Sequence, residues 1–371
     1  MKVWELATPA FLVDLTVLES NIRAMAALCR ENGVELWPMV KTHKSTAIAQ
    51  MQRAAGAKGL LTGTVDEAEY LVEQGFDNIM LAYPVAAPAN VARVVALARR
   101  AGIIIGLDGA EAAGQLNKQL ADAGLMMEYL LIIDCGLRRF GVSPDKAAEL
   151  AASLAGFSQL RLGGIATHPG QVYGATGYQE VEEVAKAEIE ALAQVKLNLE
   201  RQGFAVKTVA TGSTPTAPLA VKAGLFTALR PGNYVFYDNI QVALGVAKPA
   251  QCALTVLATV VSRPRPDTFL IDAGSKCLGL DKGAHGNSLL QGFGQVAGHP
   301  ELLVASLSEE VGRVQILADT TLAVGDKIRI IPNHSCSSAN FTNWLVGHRD
   351  DAVEKLIPVD MRGGTRRRWS D

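Results

Sequence analysis

No run of apolar residues in this sequence is long enough to cross a bilayer. The first eight residues carry charges at Lys2 and Glu5 and lack the apolar core of a secretory leader. A soluble chain without a membrane partner is therefore expected. Cysteine is scarce: five in 371 residues, odd in number and irregularly spaced. That excludes a disulfide framework and points to a reducing, cytoplasmic setting. Cys29 shares a helical face with Leu18, Ile22 and Met25 and reads as core. Excess charge of either sign is also missing, 35 basic residues standing against 37 acidic ones. They are interspersed, so no nucleic-acid surface is expected. The one basic run, Arg366 to Arg368, reads as a solvated tail.

The chain is long enough for two domains. From residue 34 to about 235, short β-rich runs alternate with longer runs of helical period, and Gly often closes the helices. The β runs are residues 34–40, 59–65, 78–85, 103–108, 128–134, 160–168, 205–211 and 226–230. Between the sixth and seventh, Val181, Val184, Ile189, Leu192, Val195 and Leu199 recur at helical steps. Eight βα units in about 200 residues predict a (β/α)8 TIM barrel. A doubly wound sheet would carry a Gly-rich fingerprint after its first strand, where this chain reads Lys41-Thr42-His43-Lys44. After Tyr237 the helical period fades. Residues 254–261, 268–271, 313–317, 327–331 and 354–359 read as strands of an all-β domain, with turns at Arg263–Asp267, Gly325-Asp326 and His348-Arg349-Asp350. The expected division is 9–236 for the barrel, with 1–8 and 237–371 for the β domain. Residues 3–6 and 10–13 are candidates to add a strand to that β domain.

Barrel enzymes place chemistry at the C-terminal strand ends and often bind phosphate after strands seven and eight. Those loops read Gly212-Ser213-Thr214-Pro215-Thr216 and Arg230-Pro231-Gly232-Asn233-Tyr234, with Gly beside donor groups. Each alone reads as an ordinary turn; together, at the two expected positions, they favour a phosphate group. The first barrel strand ends Trp37-Pro38-Met39-Val40-Lys41, and alternation puts Trp37, Met39 and Lys41 on one face. An inward lysine at a strand end suits imine formation with an aldehyde. A lysine snorkelling to water, and Lys44 opening the next helix, are the competing readings. Lysine plus phosphate cradle leaves pyridoxal 5′-phosphate and a phosphosugar open. Farther on, His334 and Cys336 stand two apart after an apolar strand, a spacing that shares a face. Imidazole with thiolate suits zinc better than magnesium. Two ligands alone are equally consistent with a chance pair.

Six segments carry a resemblance. They are Thr8-Pro9-Ala10-Phe11-Leu12-Val13-Asp14, Val40-Lys41-Thr42-His43-Lys44, Asp134-Cys135-Gly136-Leu137-Arg138-Arg139-Phe140-Gly141, the two Gly-rich loops extended to Phe236, and Pro332-Asn333-His334-Ser335-Cys336. In this order they resemble the D-threonine aldolase / D-serine dehydratase family of alanine-racemase-like pyridoxal-phosphate (PLP) enzymes. The resemblance implies that Lys41 carries the cofactor. It implies that Arg139 lies near the phenolic oxygen, that His168 stacks on the pyridine ring, and that Tyr173 faces the ring nitrogen. The phosphate would be held by Gly212, Ser213, Thr214, Gly232, Asn233 and Tyr234. His334 and Cys336 would ligate a divalent metal, zinc or manganese, beside the cofactor, and a homodimer is implied.

The expected activity is that of a lyase on small D-β-hydroxy-α-amino acids, D-threonine aldolase-like. A D-serine or 3-hydroxyaspartate-type dehydratase is the alternative. A racemase would need a second base, and no tyrosine follows Tyr237 to supply it. A non-catalytic PLP carrier would usually be a lone barrel. Two departures stand out: Met39 and Val311 occupy positions where the family often has His.

Overall fold

The structure is a computed structural model that describes residues 1–283 and 286–362. The basic run at Arg366 to Arg368 lies outside the described residues. The chain divides into two compact units. One comprises Met25–Val172 and Glu182–Gly232, with Met361; the other comprises Met1–Ala24, Tyr173–Val181 and Asn233–Asp360.

The first strand, β1 (Ala10–Asp14), lies in the sheet of the second unit, where the sequence offers it as an added strand. Eight short strands then build the first unit: β2 (Glu35–Leu36), β3 (Leu60–Thr62), β4 (Asn78–Leu81), β5 (Gly102–Leu107), β6 (Met127–Ile133), β7 (Leu160–Thr167), β8 (Thr208–Thr211) and β9 (Ala228–Leu229). All pair in parallel, in the order β2-β9-β8-β7-β6-β5-β4-β3. A parallel bridge between Met39 and Leu61 joins the two ends. Eight α-helices accompany the chain to this point: α1 (Leu15–Glu31), α2 (Thr46–Ala54), α3 (Val65–Glu73), α4 (Pro88–Ala98), α5 (Ala110–Ala123), α6 (Ala147–Leu154), α7 (Tyr178–Arg201) and the short α8 (Ala217–Ala220). Side chains cap the starts that matter to the mouth: Ser45 accepts from Ile48 N–H, and Thr64 from Glu67 N–H.

The barrel is filled rather than hollow. Trp37, Met39, Leu61, Met80, Leu130, Ala166, Ala210 and Ala228 form one buried cluster, with Ile104 packed against it. The inward face read from Trp37 and Met39 is thus correct. The alternation stops there. Pro38 has no N–H for the ladder, β2 ends at Leu36, and Val40–Thr42 forms a 3-10 turn. Lys41 lies on that turn, exposed between buried Val40 and Thr42, and not inward on a strand.

The second unit adds β10 (Leu254–Arg265), β11 (Thr268–Ile271), β12 (Gln295–Val296), β13 (Leu302–Leu307), β14 (Gly312–Ile316), β15 (Lys327–Ile331), β16 (Trp344–Arg349) and β17 (Ala352–Pro358). The strands follow the order β11-β14-β13-β12-β15-β10, and β10 pairs again with β11 to close a ring of six. β1, β16 and β17 extend it from β10, with β1 and β16 parallel. The expected turn at His348-Arg349-Asp350 is corrected: His348 and Arg349 are in strand β16, and the chain reverses at Asp350, whose φ is +47°. β12, β13 and β16 were not among the expected strands.

Candidate active site

Lys41 leaves the barrel mouth beside the end of β3. A Cβ built on Gly63 would lie 3.9 Å from Lys41 Cβ. The turn is braced from behind by His43. Its Nδ1 accepts the Ser45 N–H at 3.0 Å, so its Nε2–H faces Gln52 Oε1 at 3.3 Å. Burial pulls His43 down to about 4, so the ring is neutral at pH 7. Lys44 is no solvent-facing helix opener: it sits in the left-handed region (φ +44°) and pairs with buried Glu67 at 3.1 Å.

His168 follows β7 and its Nδ1 meets the Gly212 carbonyl. A carbonyl only accepts, so Nδ1 carries the proton and Nε2 is left as an acceptor. Burial, then the charge of Lys41, pull His168 down to about 3, and Arg139 and Arg230 act in the same sense. Lys41, Arg139 and His168 therefore share one mouth. Arg139 rides on a loop whose start is tied by Asp134, which accepts from Gly136 N–H (2.9 Å) and Arg138 N–H (3.0 Å). Its guanidinium lies over Phe140, which stacks on Tyr83.

The two Gly-rich loops come from β8 and β9. Any Cβ at Gly212 would collide with the Arg230 carbonyl, so only glycine lets these strand ends approach so closely. A Cβ at Gly232 would fall 2.9 Å from Thr42 Oγ1 and 3.1 Å from Met39 Cβ, which sets this loop against the turn bearing Lys41. Ser213 and Thr214 are buried. Ser213 Oγ has no protein hydrogen-bond partner.

The remaining expected residues belong to the second unit. Tyr173 and Tyr234 are buried there. Asn233 differs from expectation. Its amide donates to Asp238 (2.6 Å) and Ser335 Oγ (3.0 Å) and points to Cys336 Sγ at 3.9 Å. Only its backbone is left for a phosphate. Asp238, fully buried, also accepts the Ser335 N–H at 2.8 Å, and its carboxyl is pushed up by burial. His334 Nδ1 and Asp281 Oδ2 are 3.0 Å apart, and Ser337 hydroxyl donates to the same carboxylate oxygen. Burial lowers the His334 imidazole, but the Cys336 thiolate and the Asp281 carboxylate outweigh it and hold it up at about 10.

Residues 13–239 match the model of the alanine racemase N-terminal domain, and 253–348 match a serine dehydratase domain. The chain is 31% identical to the D-threonine aldolase of an Arthrobacter species, over 97% of this chain and 93% of that one. The family is thereby decided. This chain belongs to the D-threonine aldolase / D-serine dehydratase family of alanine-racemase-fold enzymes. It is also 32% identical to the D-threo-3-hydroxyaspartate dehydratase of Delftia sp. strain HT23, covering 94% of this chain and 96% of that one. Solved structures of a D-threo-3-hydroxyaspartate dehydratase include a histidine-to-alanine mutant (TM-score 0.90, 28% identity, 96% of each chain covered). A cysteine-to-alanine mutant two positions further on is in the metal-free form (TM-score 0.89, 29% identity, 96% of this chain and 98% of that one).

The family's PLP dependence is met by the barrel mouth. It holds an amine, a neutral imidazole and a buried hydroxyl with an unused donor, which suits an anionic oxygen. For a metal, the Asp281 contact on Nδ1 leaves Nε2 as the ring atom toward Cys336, with which His334 hydrogen-bonds; a metal would bind there by displacing the proton the imidazole carries. Among the described residues no group of three or more His, Cys, Asp or Glu side chains could hold a metal ion.

Two sets of residues escaped the sequence reading. Asp281 stands 53 positions before His334, with no local signal. Glu188 is buried, as is Arg230, which the sequence reading named only as the first residue of its Gly-rich loop. Glu188 had a signal: in α7 the buried stripe is Val181, Ala185, Glu188, Leu192, Val195 and Leu199, so a carboxylate occupies a core position at helical spacing.

Proposed function

We propose that this chain is a PLP- and divalent-metal-dependent lyase of D-β-hydroxy-α-amino acids, cleaving the Cα–Cβ bond of a D-threonine-like substrate to glycine and an aldehyde. The observation that carries this reading is the barrel mouth, where Lys41, neutral His168 and the unpartnered Ser213 hydroxyl stand at three strand ends. Bound PLP supplies an electron sink for the carbanion left at Cα, and a divalent metal polarises the β-hydroxyl.

The chain's own residues do the rest. Lys41 holds the cofactor through its amine and, once displaced by the substrate amine, can hold or move a proton at Cα. His168 is held by its Nδ1–H on Gly212 and offers a ring face that adds no charge beside the cofactor. Arg139 would face the phenolic oxygen and Tyr173 the ring nitrogen, as the family pattern implies. Ser213, Thr214 and the amides around Gly212, Gly232, Asn233 and Tyr234 take the phosphate. His334 and Cys336 hold the metal; an imidazole and a thiolate favour zinc, with manganese the other choice. The family resemblance supports a homodimer.

A second reading, dehydration of a D-3-hydroxyaspartate- or D-serine-like substrate, is favoured by one observation. The His-x-Cys spacing of His334 and Cys336 is the spacing mutated in the D-threo-3-hydroxyaspartate dehydratase. Met39, sealed in the barrel interior, and half-exposed Val311 supply no imidazole where the family often has one.

Incubation of the purified protein with D-threonine, D-serine and D-threo-3-hydroxyaspartate, with and without a chelator, decides. Glycine plus an aldehyde supports the aldolase. A 2-oxo acid and ammonia support the dehydratase. Formation of the L-enantiomer alone, or no turnover of any of the three, contradicts both.

A further inference from the structure

Glu188 is fully buried in the middle of α7 and has no part in the chemistry above. Its Oε1 accepts from the Thr211 hydroxyl at the end of β8. Burial pushes its carboxyl up to about 8, against the hydroxyl of Thr211 and the charge of Arg230. Arg230, itself buried, follows β9. Its Nη2 donates to the Thr167 carbonyl at 2.6 Å, and its backbone N–H to the Thr211 carbonyl at 2.7 Å. Thr167 immediately precedes His168, and Thr211 immediately precedes Gly212. The Glu188 carboxyl thus ties α7 to the end of β8, and Arg230 ties the ends of β7 and β8 to its own place after β9.

A helix stripe that wanted only packing would place an apolar residue at this position, because a buried carboxyl gains its hydrogen bonds only against the cost of leaving water. Arg230 Nε and Glu188 Oε2 are both buried without a hydrogen-bond partner, a further sign that stability alone does not explain these two polar groups.

We propose that Glu188 is a positioning residue: through Thr211 and Arg230 it sets the mutual placement of His168 and the Gly212–Thr214 loop, and so the affinity of the barrel for the cofactor's phosphate and ring. The inference rests on the reading of the mouth as the PLP site. It needs no contact between Glu188 and the cofactor.

The test is the dissociation constant of PLP from full-length apoenzyme, read by tryptophan fluorescence quenching well below the melting temperature. Glu188→Leu, Glu188→Gln and Thr211→Val are compared with the wild type, together with the apoenzyme melting temperature of each. Glu188→Leu is expected to weaken PLP by about tenfold or more, the usual cost of losing a supporting partner, while its apoenzyme melts no lower than the wild type. Glu188→Gln, which can still accept from Thr211, should retain most of the affinity. Glu188→Gln and Thr211→Val combined should be no worse than the poorer single variant. Should Glu188→Leu not fold, the Gln and Val variants and their combination decide. Wild-type affinity in Glu188→Leu or in Thr211→Val overturns the proposal, as does an affinity loss that only follows melting temperature or adds in the double variant. If the wild type itself binds no PLP, the reading of the site fails instead.

Discussion

Ser213 carries a hydroxyl that is buried and unpartnered in the cofactor-free chain, so its replacement has opposite effects on two quantities. Ser213→Ala removes an unsatisfied group and should leave the apoenzyme as stable as the wild type or slightly more so. The same change removes a phosphate donor, and the dissociation constant of PLP should rise by about 10- to 100-fold, the equivalent of one charged hydrogen bond. Calorimetry of the apoenzyme and a PLP titration check the two halves. A fall in stability with unchanged affinity would show that Ser213 serves the fold instead.

His43 gives a second prediction, with a definite sign. Its folded-state value, about 4, lies below the ordinary 6.5 because the ring is buried and neutral. The unfolded chain binds the extra proton between those values. Its contribution to stability is therefore complete above pH 6.5 and is lost as pH falls toward 4. The full loss is on the order of 3 kcal/mol. Denaturant unfolding of wild type and His43→Gln at pH 7 and pH 5 isolates it: the wild type should lose more stability between the two than the variant. An equal loss in both would contradict the assignment. Glu188, raised rather than lowered, acts in the opposite sense on both proteins and cancels in the comparison.

Among the elements, the eight barrel strands were legible because each lies between a turn signal and a run of helical period. β12, two residues long, carries no period to read. β13 and β16 lie between Gly-, Asn- and Asp-rich segments, which read as loop. The end of the first barrel strand was readable in residue type but not in conformation. Pro38 interrupts the ladder, so Lys41 reaches the mouth from a 3-10 turn and needs no burial to be there. The partners of the site residues were legible only where they lie nearby in sequence. His168 with Gly212, Asn233 with Ser335, and His334 with Asp281 are tertiary pairings that no spacing rule announces. Asp281 should matter through the orientation of His334. Asp281→Asn is expected to weaken zinc by about 10- to 100-fold, measured against a competing chelator. Unchanged zinc affinity would remove Asp281 from the account.

For the molecule as a whole, the residues proposed for cofactor and for metal fall largely in different units: Lys41, Arg139, His168 and Ser213 in one, His334 and Cys336 in the other. Stripping the metal should therefore abolish turnover of D-threonine and leave the bound cofactor's visible absorption in place; joint loss of both would contradict this division. The account stands on a covalent bond between Lys41 and the aldehyde of PLP, and substitution at that one amine tests it most directly. Lys41→Arg keeps the charge but cannot form the imine. Purified Lys41→Arg should lack the visible band of the wild type and yield no borohydride-fixed cofactor peptide. A variant that keeps the band and the fixed adduct would contradict the assignment of Lys41 and everything built on it.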